Sequence, residues 1–97
     1  MLMRLKIGRL AAADVDEIFE YGLLNHGPAE AVNYLDRIEV KYRLLLEHPR
    51  SGRAEPVLGT GIRSLPCGSH RIYYQIKDDI VLIRRIHHQA ADMGRWR

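Results

Sequence analysis

The chain lacks most of what specialised folds and metabolic active sites are built from. Its 97 residues hold one cysteine, one tryptophan and one phenylalanine. The lone Cys67 can form no internal disulfide. It sits in Pro66-Cys67-Gly68, with no second thiol at zinc-site spacing, and reads as a turn residue rather than a ligand. No apolar run approaches the roughly 20 residues that a membrane helix needs. The first ten residues carry no signal-peptide apolar core. A phosphate-binding glycine loop, a nucleophile elbow and a dinucleotide fingerprint are all missing from the sequence. The expectation is a cytoplasmic domain spanning residues 1–97, with no membrane association, no metal and no cofactor.

What is present is an uneven charge. The net formal charge is +3. Residues 1–47 hold six Lys/Arg against eight Asp/Glu, whereas residues 48–97 hold nine against four. A basic second half points to a polyanion or an acidic protein partner.

Hydrophobic periodicity divides the chain. Met3, Leu5 and Ile7 alternate with Arg4, Lys6 and Gly8, the period of a half-buried strand. Val15, Ile18, Phe19, Gly22 and Leu23 share one face of a first helix. Asp14, Asp16 and Glu17 are placed near its start, where they complement the dipole. Gly27 stops it, and Pro28 opens a second helix running to Glu47. Ala31, Leu35, Ile38, Tyr42 and Leu45 form that helix's seam, and His48-Pro49 ends it. Residues 49–61 are loop by composition. Three strands follow, Ile62–Leu65, Ser69–Ile76 and Ile80–His87, joined by Pro66-Cys67-Gly68 and Lys77-Asp78-Asp79 as hairpin turns. Strand, helix, helix and three strands predict an α+β fold, a helical hairpin packed on one face of a mostly antiparallel sheet. The second face is expected to present Arg, Tyr and His side chains.

The last three strands concentrate the candidate chemistry in Arg63, His70, Arg71, Tyr73, Tyr74, Arg84, Arg85, His87 and His88. Arginine forks suit phosphate oxygens. Histidine exchanges protons near neutral pH. Tyrosine stacks on unpaired bases. Strict alternation sends Tyr73 and Tyr74 to opposite faces, one of them into the core, and separates Arg84 from Arg85. His87 and His88, adjacent on a strand, chelate one ion poorly. His26 and His48 at helix ends read as structural or solvated. Trp96, between Arg95 and Arg97, can stack on a base or anchor in a groove.

These segments resemble the ParE branch of the ParE/RelE toxin family over nearly the whole chain. LAAADVDEIFEY is similar to the family's opening A-x-x-D-(L/V)-x-x-I. NHGPAEAVNYLDRIE is similar to W-G-x-x-x-A-x-x-Y-L, with His26 where tryptophan is usual, and EHPRSGR to E-N-P-x-x-G-R. GIRSLPCGSHRIYYQI is similar to G-x-R-x-x-x-x-G-S-H-x-I-(F/Y)-Y, and RIHHQAAD to R-I-L-H-Q-x-M-D. In the last segment His87 replaces leucine, Arg84 stands where an apolar residue is common, and Ala91 replaces Met or Arg. The resemblance implies a type II toxin neutralised by a ParD-like antitoxin whose disordered tail folds on binding. Tyr21, Leu24, Tyr34 and Leu46, apolar positions off the main seams, are the candidates for that contact. The resemblance implies inhibition of DNA gyrase without enzymatic chemistry, with Arg63, Arg71, Tyr73, Arg85, His88 and Trp96 as target-binding candidates. The alternative it leaves open is RelE-type cleavage of messenger RNA on the ribosome, with Arg63, Arg85 and His88 as the catalytic set. The loop before the second predicted strand has only Arg50 and Arg53 and no lysine, and no tyrosine follows the last strand, which favours the first mechanism.

Overall fold

The computed structural model describes residues 2–90. In it, β1 (Arg4–Ile7) leads into α1 (Arg9–His26) and α2 (Pro28–Glu47), followed by β2 (Arg53–Ala54), β3 (Ile62–Cys67), β4 (His70–Lys77) and β5 (Ile80–His88). The strands form one sheet in the order β1-β5-β4-β3-β2. β1 runs parallel to β5, and the other neighbours are antiparallel. The helical hairpin packs on this sheet, as the α+β reading predicts.

Glycine sets how closely the first elements approach. Gly8 donates to the Ile83 carbonyl at 2.9 Å, and a Cβ there would lie 2.9 Å from the same oxygen. The chain therefore turns into α1 tight against β5. At Gly22 a Cβ would lie 3.2 Å from Ala31 Cβ, so the absent side chain lets α1 and α2 close on each other. Gly27, with φ +90°, ends α1 through a 3.0 Å bond to Gly22 O, and Pro28 starts α2 where a missing N–H costs nothing.

The predicted seam of α2 is buried at Ala31, Ile38, Tyr42 and Leu45, with Leu35 packed beside it. They meet Leu65, Ile72, Tyr74, Val81, Ile83 and Ile86 from the sheet. Each fully buried aliphatic side chain contributes about 1.5–3 kcal/mol. On α1, Ala11 is buried, while Val15 and Ile18 pack at the edge of the core. Leu23, placed by periodicity on the same face, is 39% exposed and is not part of the core cluster.

Four local expectations are corrected. α1 begins at Arg9, with no acidic residue in its first turn, so Asp14 lies too far along to serve the dipole. Cys67 is not a turn residue: β3 runs through Pro66 to Cys67, which is buried in the core. The turn is Gly68-Ser69. Residues 49–61 contain the short β2, paired as Arg53↔Ser64 and Ala54↔Arg63. Finally, β5 bulges. Tyr73 pairs with Arg85 while Tyr74 pairs with Ile83, so Arg84 is an extra residue in the ladder. Ile83 and Ile86, three apart, therefore both reach the core, and Arg84 and Arg85 both stay outside it instead of diverging.

Candidate functional site

The site follows from a mismatch in strand length. β1 covers β5 only from Ile80 to Ile83, and α1 then departs. The last residues of β5 are left with an outer side facing α1 across a cleft of about 580 Å³. Asp14, Glu17, Ile18 and Tyr21 line one wall, and Arg85, Ile86, His87 and His88 the other, with His26, Ser69 and His70 completing it.

Asp14 is the strongest tie across this cleft. Arg85 donates through Nε to Oδ2 at 2.9 Å and through a terminal nitrogen to Oδ1 at 3.1 Å. The Ile86 N–H donates to Oδ2 at 2.9 Å. One carboxylate thus neutralises a guanidinium in the two-pronged geometry that suits it and satisfies a strand-edge donor. The Asp14 contact pushes the Arg85 guanidinium above its ordinary value, against the opposing effect of burial. Both side chains are largely covered, at 19% and 11% exposure.

The histidines are held by different partners. The Tyr34 hydroxyl lies 3.0 Å from the Cys67 carbonyl and accepts the Ser69 N–H at 3.2 Å. It also shares a 2.6 Å hydrogen bond with His70 Nδ1, whose direction follows the His70 tautomer. His88 is bound through its own Nδ1, which accepts the Ala90 N–H at 3.1 Å. The two rings stand edge to face, 5.6 Å between centroids. Burial, and then the neighbouring His88 and His87, hold His70 below the ordinary histidine value against the pull of Asp14. His87 is also lowered, first by burial and then by Arg85. Among the described residues no group of three His, Cys, Asp or Glu could hold a metal ion.

The sequence candidates separate. Arg85 and His88 line the cleft. Arg63 does not join them. It pairs with Tyr74, whereas Arg85 pairs with Tyr73, on the opposite face of the sheet. His88 pairs with His70, four residues from Tyr74, which is roughly 13 Å along the strand. Arg63 is instead bound to the loop before β2, donating to Gly52 O at 2.7 Å. Arg71 donates to Ser64 Oγ at 3.0 Å, and Ser64 donates to Glu55 at 2.5 Å. Burial works to raise the Glu55 carboxyl, but the bonds from Ser64 and Arg53 outweigh it and hold the group below its ordinary value. Tyr73 was expected on an accessible face, but it is 5% exposed, packed with Ile62 and Leu58. Trp96 lies outside the described residues.

The antitoxin candidates separate as well. Tyr21 and Leu24 are 63% and 79% exposed and project from α1. Tyr34 and Leu46 pack against the core, and the Tyr34 hydroxyl is committed to the β3–β4 turn. Those two are interior-edge residues rather than an open apolar groove. Sequence reasoning missed Asp14, His26 and His70 as members of one site. The signal for Asp14 was its position behind a helix start, read there as a dipole effect.

The model of the ParE toxin of type II toxin–antitoxin systems, parDE, matches residues 5–93. The chain belongs to the ParE toxin family. It is 29% identical over 82 residues to Toxin ParE1 of Caulobacter vibrioides, covering 84% of this chain and 85% of that one. It is 28% identical over 96 residues to Toxin ParE1 of Mycobacterium tuberculosis, covering 98% of both. A solved chain of the chromosomal ParDE toxin–antitoxin system from P. aeruginosa superposes with a TM-score of 0.77 at 27% identity, over 90% of this chain and 96% of that one. The segments GSH-R-IYY and R-I-x-H-Q both lie within the matched residues. The first forms β4 with its preceding turn and the second closes β5, and together they build the tip of the sheet where the cleft opens.

Proposed function

We propose that this ParE-family toxin arrests growth by inhibiting DNA gyrase, without catalysing a reaction, and that a ParD-like antitoxin neutralises it. Family membership supports the toxin–antitoxin half. One observation carries the mechanism: Arg63, Arg85 and His88, the set a RelE-type ribonuclease would use, do not converge. Arg85 is already neutralised by Asp14, and Arg63 is held by backbone carbonyls. RNA cleavage requires a base, an acid and a free cation around one phosphate, and none of the arginines in that set lies free at His88 among the described residues. The surface proposed to meet the target comprises Arg71, Arg85 and His88 around the sheet tip, with Trp96. Tyr73, paired with Arg85, acts by supporting it, and Arg63, held to the loop before β2, is not part of it. The antitoxin is proposed to cover Tyr21 and Leu24.

The test is direct. Purified toxin added to gyrase, relaxed plasmid and ATP is expected to abolish supercoiling or accumulate cleaved DNA, and cognate antitoxin is expected to reverse this. A gyrase reaction unaffected by excess toxin, together with messenger RNA cut in a translating extract, would establish the ribonuclease instead.

A further inference from the structure

The helices cover one face of the sheet, and the second face is built differently. Ile72 and Tyr74 of β4 point into the helical core. Alternation therefore sends Arg71, Gln75 and Lys77 to the second face, with Tyr73 between them. Leu5 of β1 packs on the core, which turns Lys6 the same way, beside Leu82. The bulge in β5 adds to the charge there. Strict alternation would leave Arg84 and Arg85 on opposite faces, but Ile83 and Ile86 take the core positions and both arginines stay outside it. Arg84 donates to Gln75 at 2.6 Å on that side. Lys6 and Lys77 are exposed and make no ion pair among the described residues. The carboxylates bound at this face are already matched: Glu55 by Arg53 and Ser64, Asp79 by Arg4, and Asp14 by Arg85.

The apolar groups are sorted the other way. The exposed large apolar side chains of the described residues lie on the helices, at the N-terminus or in the loop before β3, and Ile7 is on the Leu5 side of β1. Tyr73 is 5% exposed, packed with Leu58 and Ile62. Protein interfaces centre on apolar and aromatic anchors with charge at the rim. This face has charge without such anchors, as nucleic-acid interfaces do. No tyrosine ring is open on it to stack on unpaired bases, so it suits a duplex backbone rather than a single strand. Arg71 and Lys77 stand roughly 20 Å apart along β4, the rise of about six base pairs. We propose that this face binds the phosphate backbone of duplex DNA, holding the segment on which gyrase works while the sheet tip meets the enzyme. Arg71 and Arg84 supply two-pronged donors, and Lys6 and Lys77 supply point charges. The choice of DNA rests on the gyrase reading above; the phosphate-binding face does not.

Fluorescence anisotropy of a short labelled DNA duplex of mixed sequence, titrated with the full-length toxin over a range of salt, tests this. Binding is expected with a slope of log affinity against log salt of roughly −3 to −4, about one unit for each phosphate met. Lys6→Gln combined with Lys77→Gln is expected to weaken binding about tenfold and to flatten the slope by about two, with the melting temperature unchanged. Arg37→Gln combined with Arg43→Gln removes the same charge from exposed positions of α2. That pair is expected to change affinity by less than about twofold. In a gyrase supercoiling assay the Lys6 and Lys77 pair is expected to need about tenfold more toxin for half inhibition. Equal losses from the two pairs overturn the face, because net charge alone then acts. So does binding that ignores salt, or a single strand held more tightly than the duplex. A preference for duplex RNA overturns DNA as the ligand. No binding to DNA with gyrase still inhibited overturns the proposal and leaves the gyrase reading standing. DNA bound through this face with gyrase untouched overturns that reading and keeps the face.

Discussion

The two ends of the sheet use the same kinds of side chain to opposite ends. Beside β3, the Tyr74 hydroxyl donates to Pro49 O at 2.7 Å and accepts Gly52 N–H at 2.9 Å, and Arg63 holds Gly52 O. The Tyr74 hydroxyl and one terminal nitrogen of Arg63 are spent on the backbone of one loop. Beside β5, Arg85, His70, His87 and His88 line a cleft, tied down mainly by Asp14 and Tyr34. Aromatic and basic residues on a strand are therefore not in themselves a site. What decides is whether a loop closes over them, as residues 49–52 do over Tyr74, or a helix stands off, as α1 does from β5.

The largest expected effect lies at the closed end. Tyr74→Ala removes a fully buried ring and both loop bonds, and should cost about 3–5 kcal/mol of stability, read by denaturant unfolding. Tyr74→Phe keeps the ring and leaves Gly52 N–H without its partner, for about 1–3 kcal/mol. Losses of equal size in the two variants would show that the hydroxyl, not packing, fixes the loop. At the open end, Asp14→Ala strips a partner from Arg85 and from Ile86 N–H and should cost about 1–3 kcal/mol. A double-mutant cycle with Arg85→Ala should recover part of that loss. Additive losses would mean that the pair is not coupled.

Two smaller effects sharpen the contrast. The Tyr42 hydroxyl is buried with no hydrogen-bond partner among the described residues, and burial pushes its pKa up to about 12. Tyr42→Phe should therefore be neutral or stabilising, by up to about 1 kcal/mol, the reverse of Tyr74→Phe. The open end should also carry the acid sensitivity. His70 and His87 are held below 6.5 in the folded state, mainly by burial. The unfolded chain then binds more protons than the folded one once pH drops below about 6.5, so stability should fall as pH falls through that value and level off below the folded pKa values. Replacing both with glutamine should flatten this part of the pH–stability curve. An equally steep curve in the double variant would place the sensitivity elsewhere. Leu24→Ser, at an exposed position, should leave stability within about 0.5 kcal/mol of the parent while lowering antitoxin affinity about tenfold.

Much of this was legible from local pattern. The α2 seam, Pro28 and Gly27 follow from periodicity and backbone chemistry, and the structure begins and ends α2 at the predicted residues. The order and spacing of the strand motifs identified the family. The cleft was less legible, for three physical reasons. Asp14 is separated by 71 positions from the arginine it binds, and no local pattern reports such a distance. The Arg84 bulge breaks alternation, so counting by two assigned the β5 tip wrongly. The second small core around Tyr73 and Ile62 depends on Leu58, in a loop that composition alone marked as irregular.

The parallel pairing of Arg4 with Ile80 has a consequence in time. β1 emerges early in synthesis, but β5, its partner among the described residues, is made 76 residues later. At roughly 5–20 residues per second, the ribosome keeps the sheet incomplete for about 4–15 s per molecule. Until β5 arrives, β1 has no strand of the sheet beside it and one wall of the cleft does not exist.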